Sequence, residues 1–232
     1  VALYRTGLHP ATVSAHFLLS MVVIAGSVAL VVRSGDPGDR PVVPLVPRPV
    51  GVLAWVLVAV SGAVVLLGVI VTGSGPYSGD AASENRYSFD PRTVSWLHAD
   101  LVLLFLGLLV GLLVALSLVS SPRAARTWAW LLFAVALAQG ILGYTQYFAG
   151  EPVPLVVIHV LGATATWAIV LFVPASLRSR GEAQAPPTLF ARELFPELLT
   201  GAVERGPQEV AARVACEDPP GPVAAVGGGS DA

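Results

Sequence analysis

The sequence predicts an all-α integral membrane protein: five transmembrane helices, the last four forming a four-helix bundle, followed by a polar tail. Three observations carry that prediction. Of 232 residues, 55% are hydrophobic and only 12% are charged, with a mean hydropathy of +0.75; a soluble domain carries roughly twice that charged share. Five apolar runs reach the length of about 20 residues that a helix needs to cross a hydrocarbon core. From Gly181 onward the composition turns polar and holds eight of the fifteen acidic residues.

The runs are Ala11–Val32, Val50–Thr72, Val94–Val119, Thr127–Ala149 and Val153–Pro174. Runs this long span as helices, because every backbone group must be satisfied inside the segment. Each mixes Gly, Ala or Ser with Leu and Val, as helices that pack closely in lipid do. The first run is too long for the core of a cleavable signal and lacks a basic leader. Domain limits follow: residues 1–33 as a first helix standing apart, 34–49 as a loop, 50–176 as the four-helix bundle, and 177–232 as a disordered tail. Clusters such as "AQAPP", "DPPGP" and "VGGGSDA" cannot bury a core. Within the tail, Leu189–Val203 has an amphipathic pattern suited to a membrane surface, interrupted by Pro196.

Arginines set the expected orientation. Arg33, Arg40, Arg48, Arg123, Arg126, Arg178 and Arg180 flank one side of the spans, and Arg5, Arg86 and Arg92 flank the other. The richer side is expected in the cytoplasm, which puts the tail inside and the second-to-third loop outside. All thirteen basic residues are arginine, a genomic composition bias rather than a binding device. The net charge of −2 points to no nucleic acid partner, and the lone Cys216 excludes an intrachain disulfide or a CxxC metal site.

Three of the four histidines share a placement. His16 is the sixth residue of its run, His98 the fifth and His159 the seventh. The runs that hold them all point the same way, so the imidazoles lie about 7–10 Å in from the outer helix ends. A lone histidine there is more often an interfacial or hydrogen-bonded side chain than a ligand. Three at one depth are harder to dismiss, since neutral imidazole is the commonest side-chain metal ligand. Two on facing helices suit the axial positions of a haem iron, with Arg86 and Arg92 as candidate propionate partners. Zinc fits less well, because further ligands and orienting carboxylates are scarce. On the residues alone, haem ligation and an interfacial role both stand open.

Other features are weaker. Asp100 is the only acidic residue inside a run and lies near the outer end of its helix. Thr72–Asp80 ("TGSGPYSGD") leaves a helix rather than joining a strand to one, so it is a helix stop and turn, not a phosphate loop. In "AQGILGYTQYF" (Ala138–Phe148), Gln139, Gly143 and Gln146 fall along one flank, and Gly143 permits close approach of a neighbouring helix or a flat macrocycle.

In this order and spacing, "RTGLHPATVSAHFLLSM", "VTGSGPYSGD", "WLHADLVL", "AQGILGYTQYF" and "VIHVLGA" resemble the C-terminal part of haem A synthase, most closely the actinobacterial type, from about Thr6 to Val173. The resemblance implies an eight-helix oxidoreductase of two similar halves. One converts the C8 methyl of haem O to the formyl of haem A for cytochrome oxidase; the other holds haem b. The five runs here match the family's fourth to eighth helices. His98 and His159 then correspond to the axial pair of the haem b half, and His16 to a substrate-haem ligand at the end of the catalytic half. Ser95 stands three residues before His98, where the catalytic half has Glu, so this is the non-catalytic half. The chain opens on Val1, and the reading expects three further helices upstream carrying that Glu and the partner of His16. Without that partner, the first helix is expected to be the least anchored. The tail is not part of the family pattern.

The implied setting is the plasma membrane, with haem O synthase and an electron donor as partners and self-association open. Two other functions compete: a stand-alone membrane haem b or electron-transfer module without oxygenase activity, and a transporter or scaffold whose histidines line a cavity.

Overall fold

The computed structural model describes residues 9–36, 41–76 and 85–180. The amphipathic stretch 189–203, Cys216, the remaining tail and the end of the Gly-rich turn (77–80) lie outside the described residues. The elements are α1 (Pro10–Ser34), β1 (Val42–Pro44), α2 (Arg48–Ser74), α3 (Pro91–Leu118), α4 (Arg123–Phe148), α5 (Val153–Ser176) and β2 (Arg178–Arg180). All five helices are long and apolar enough to cross a bilayer. This is a multi-pass membrane protein by architecture, and Leu19, Val22, Leu30, Trp55 and Leu161 expose over half their surface outward.

Proline starts the helices. It sits in the first turn of α1, α2, α3 and α5 and immediately before α4, where its missing N–H costs nothing and its fixed φ suits the helix. Asp90 caps α3 by accepting from the Thr93 N–H at 2.8 Å and the Thr93 hydroxyl at 2.6 Å. His9 caps α1, its Nδ1 accepting from the Ala11 N–H at 3.2 Å. α3 and α4 begin three and four residues before their apolar runs because their first turns, Pro91–Thr93 and Arg123–Arg126, carry arginine, which hydropathy alone passes over.

Helices α2 to α5 close into a ring, with α2 against α3, α3 against α4, α4 against α5 and α5 back against α2. Their seams repeat at spacings of four and three: Val50, Ala54, Leu57 and Ser61; Phe105, Leu109, Leu112 and Leu116; Ala125, Ala129, Leu132 and Ala136. That period is what knobs-into-holes packing requires, and the alanines let α4 approach its neighbours closely. These rows fill the end of the bundle that carries the β-strands, and Ser61, Phe105 and Ala136 form its inner border with the cavity beyond. Val170 and Val173 of α5 complete that solid core.

The strands correct the boundary expected at residue 177. β1 pairs antiparallel with β2, Val42 opposite Arg180 and Pro44 opposite Arg178, and the Leu45 N–H donates to the Leu177 carbonyl at 2.9 Å. Residues 177–180 therefore belong with the connection between α1 and α2, not with the tail. Their exposed backbone groups gain partners there, and the Arg180 Nε donates to Asp36 at 2.9 Å.

Helix α1 packs outside the ring against α2 and α5. It is tied at three levels: by Arg180 to Asp36 at the strand end, by the Trp167 indole N–H to the Met21 carbonyl at 2.9 Å, and by the Tyr87 hydroxyl to Ser14 at 2.9 Å. The first helix is thus tied to the bundle at three points along its length.

Candidate functional site

Beyond the solid end, the same helices enclose a cavity of about 350 Å³ to which all five contribute, within the range of small-molecule sites. Its walls are mostly Val, Leu, Ala, Gly and aromatic side chains, with Val13 and Phe17 of α1 closing the side between α2 and α5.

Two imidazoles enter it. His98 is the eighth residue of α3 and His159 the seventh of α5, so they share one depth. Each rests against a glycine on the helix before it. A Cβ built on Gly68 would stand 3.2 Å from the Cε1 of His98, and one on Gly143 would stand 3.2 Å from the Cε1 of His159. The two hairpins, α2–α3 and α4–α5, therefore present their histidines in the same way. Both Nδ1 atoms are buried without a hydrogen-bond partner. Buried polar atoms are normally paired, so these two nitrogens are open to a partner inside the cavity.

The flank of α4 is polar at two points. Gln139 and Gln146 line the cavity seven residues apart, and each has a buried Oε1 without a partner. The Gln139 amide occupies the space that any side chain on Gly162 would need, which keeps it beside the His159 turn of α5.

At the mouth, the α4–α5 turn places Gly150 (φ 76) and Glu151 (φ 57) in the left-handed region, uncommon for a residue with a Cβ. The Glu151 N–H donates to the Gln146 carbonyl at 2.7 Å, which holds the turn. The carboxyl lines the cavity and reaches toward Gly75 at the end of α2, where a Cβ would stand 3.2 Å from Oε2. Burial pushes the Glu151 carboxyl above its usual range. Two residues earlier in α2, the Tyr87 ring fills the space beside Gly73 and the Tyr87 backbone N–H donates to the Gly73 carbonyl at 2.9 Å.

Of the five residues singled out from sequence, His98 and His159 are brought together. His16, Arg86 and Arg92 are exposed and do not line the cavity. Asp100 is exposed as well and faces away from it. Gly143 makes room for the imidazole of its neighbouring helix. Sequence reasoning missed Glu151, Gly68 and Tyr87. A signal existed for the first, since "AGEP" (Ala149–Pro152) puts a lone acid in a four-residue turn between two spans.

No protein-family model, no curated protein and no solved structure matches this chain.

Proposed function

We propose that this chain holds a haem b between His98 and His159 and forms the haem-holding half of a membrane oxidoreductase of the haem A synthase kind. The observation that carries the reading is the matched pair of imidazoles, each against a glycine, each with an orphaned buried nitrogen, in one apolar-walled cavity. The residues present fit the group. A flat macrocycle needs an apolar slot with small residues beside its axial ligands, and Gly68, Gly140 and Gly143 line this one. It also needs a polar end, where the side-chain amide of Gln146 stands in place of the two arginines.

Bound haem b supplies one-electron transfer at its iron. The chain's own residues set the conditions for it. His98 and His159 would hold the group from two hairpins, α1 closes the side of the slot and excludes lipid, and Gln139 packs beside the turn of α5 that carries the second imidazole. In this reading the protein sits in the plasma membrane with the arginine-rich strand end in the cytoplasm. His16, on the outer face of α1, awaits a partner half for substrate haem.

One observation favours the stand-alone module as a second reading: this chain alone supplies walls from five helices and both candidate ligands. Haem O supplied with a reductant and oxygen to the purified, haem-loaded chain separates the two. We expect haem to bind and no haem A to form without the partner half. Haem A formation would show that this chain is a complete enzyme and overturn its assignment as the non-catalytic half. Failure to bind haem at all would favour the transporter or scaffold reading.

A further inference from the structure

Among the described residues the cavity holds one carboxyl, that of Glu151, and no part of the function above uses it. Glu151 sits on a strained turn whose backbone is pinned by Gln146, its side chain lines the same cavity as the two imidazoles, and no arginine among the described residues lines that cavity. A structural turn at this position would take Gly or Asn at lower cost. The carboxyl therefore has a reason to be there that the turn does not provide.

We infer that Glu151 takes up one proton from water when a haem held by His98 and His159 gains one electron, which makes this site a proton-coupled redox centre. The inference rests on the haem reading of the preceding section. Its physics is linkage. One-electron reduction removes one positive charge from the iron, and a carboxylate in the same poorly solvated cavity then loses part of its electrostatic stabilisation. Its proton affinity rises, and by reciprocity its deprotonation favours the oxidised haem. The electron comes from a one-electron donor, the proton from bulk water, and it ends on a carboxylate oxygen of Glu151. Burial, which already disfavours the charged carboxyl, brings this exchange toward neutral pH.

The other groups around the cavity are poor candidates. His98 of α3 and His159 of α5 are committed to the iron, and Tyr144 and Tyr147 of α4 are phenols rather than carboxyls. From α2, Thr72, Gly73 and Gly75 face the turn and none titrates. Arg86, Asp90 and Arg92, before and within the first turn of α3, are exposed and off the cavity.

The test is a spectroelectrochemical titration of the purified full chain loaded with ferric protoporphyrin IX, from pH 5 to 9, in wild type, Glu151→Gln and Glu151→Asp. In wild type the midpoint potential should fall as pH rises, approaching about 59 mV for each tenfold drop in proton concentration where Glu151 titrates. Glu151→Gln should flatten that slope and leave the potential higher at alkaline pH. Glu151→Asp, which keeps a carboxyl, should retain a slope with a shifted midpoint. An unchanged bis-histidine absorption spectrum in each variant reports an intact site. Equal slopes in wild type and Glu151→Gln would overturn the proton link while leaving the haem reading standing; a chain that binds no haem would overturn both.

Discussion

The Cε1 edge of His98 lies 3.2 Å from the point where a Cβ on Gly68 would stand, closer than side chains comfortably pack. The α2–α3 hairpin positions its imidazole by leaving out a side chain on the facing helix. Gly68→Ala should therefore push the ring aside and weaken haem binding about tenfold, the lower end of what supporting residues cost. Gly107→Ala and Gly111→Ala on α3, where a new Cβ meets nothing within 4 Å, should leave it unchanged. A haem titration with Gly68→Ala as tight as wild type would remove this role for the glycine.

Helix α1 should behave as part of the bundle. Loss of one hydrogen bond inside a membrane protein costs about 0.6 kcal/mol, so Trp167→Phe should modestly speed amide exchange around Met21, and Tyr87→Phe should do so around Ser14. Gly73→Ala should do more, because the new methyl occupies the space of the Tyr87 ring. Hydrogen exchange in detergent is the measurement. Wild-type protection in α1 far below that in α5 would show that the three ties do not hold it.

The Gln139 amide and Gly162 compete for one space. Gly162→Ala should destabilise the α4–α5 hairpin by about 1–3 kcal/mol, as overpacking does, and should also perturb the haem spectrum, because His159 lies one turn away. Gln139→Ala in the same background should recover the loss of stability. A double variant no more stable than Gly162→Ala alone would contradict the clash.

How much of this was legible in the sequence depends on the range of the cause. The spans were readable from composition to within a few residues, since lipid imposes a local rule on every position. The shared depth of His98 and His159 was readable from counting along two helices that run the same way. Gly68, Tyr87 and the strand pair were not: Gly68 matters only because α3 packs there, and Val42–Pro44 carries no alternating pattern to mark it as a strand. Arg86 and Arg92 illustrate the converse. They lie near the right end of the bundle, but sequence distance does not say which way a side chain faces, and the cavity's polar rim is built from Gln146 and Glu151 instead.

The cap of α3 predicts an acid-sensitive helix start. The hydroxyl and N–H of Thr93 hold the Asp90 carboxyl below the usual carboxylate range. The folded state thus favours the carboxylate, so the cap's contribution is complete above about pH 4 and is lost as pH falls through the depressed value. Exchange at the Thr93 amide, corrected for its intrinsic rate, should accelerate in that acid window. In Asp90→Asn it should not, because the amide oxygen accepts at any pH. The same acid dependence in both proteins would exclude Asp90 as its origin.

The central claim, that His98 and His159 jointly hold one haem, is tested most directly by low-temperature electron paramagnetic resonance of the full chain loaded with ferric protoporphyrin IX. The account predicts one haem per chain with a low-spin bis-imidazole signal. That signal should be lost in His98→Ala and in His159→Ala and kept in His16→Ala. A low-spin signal that survives either of the first two changes, or disappears in the third, would contradict it.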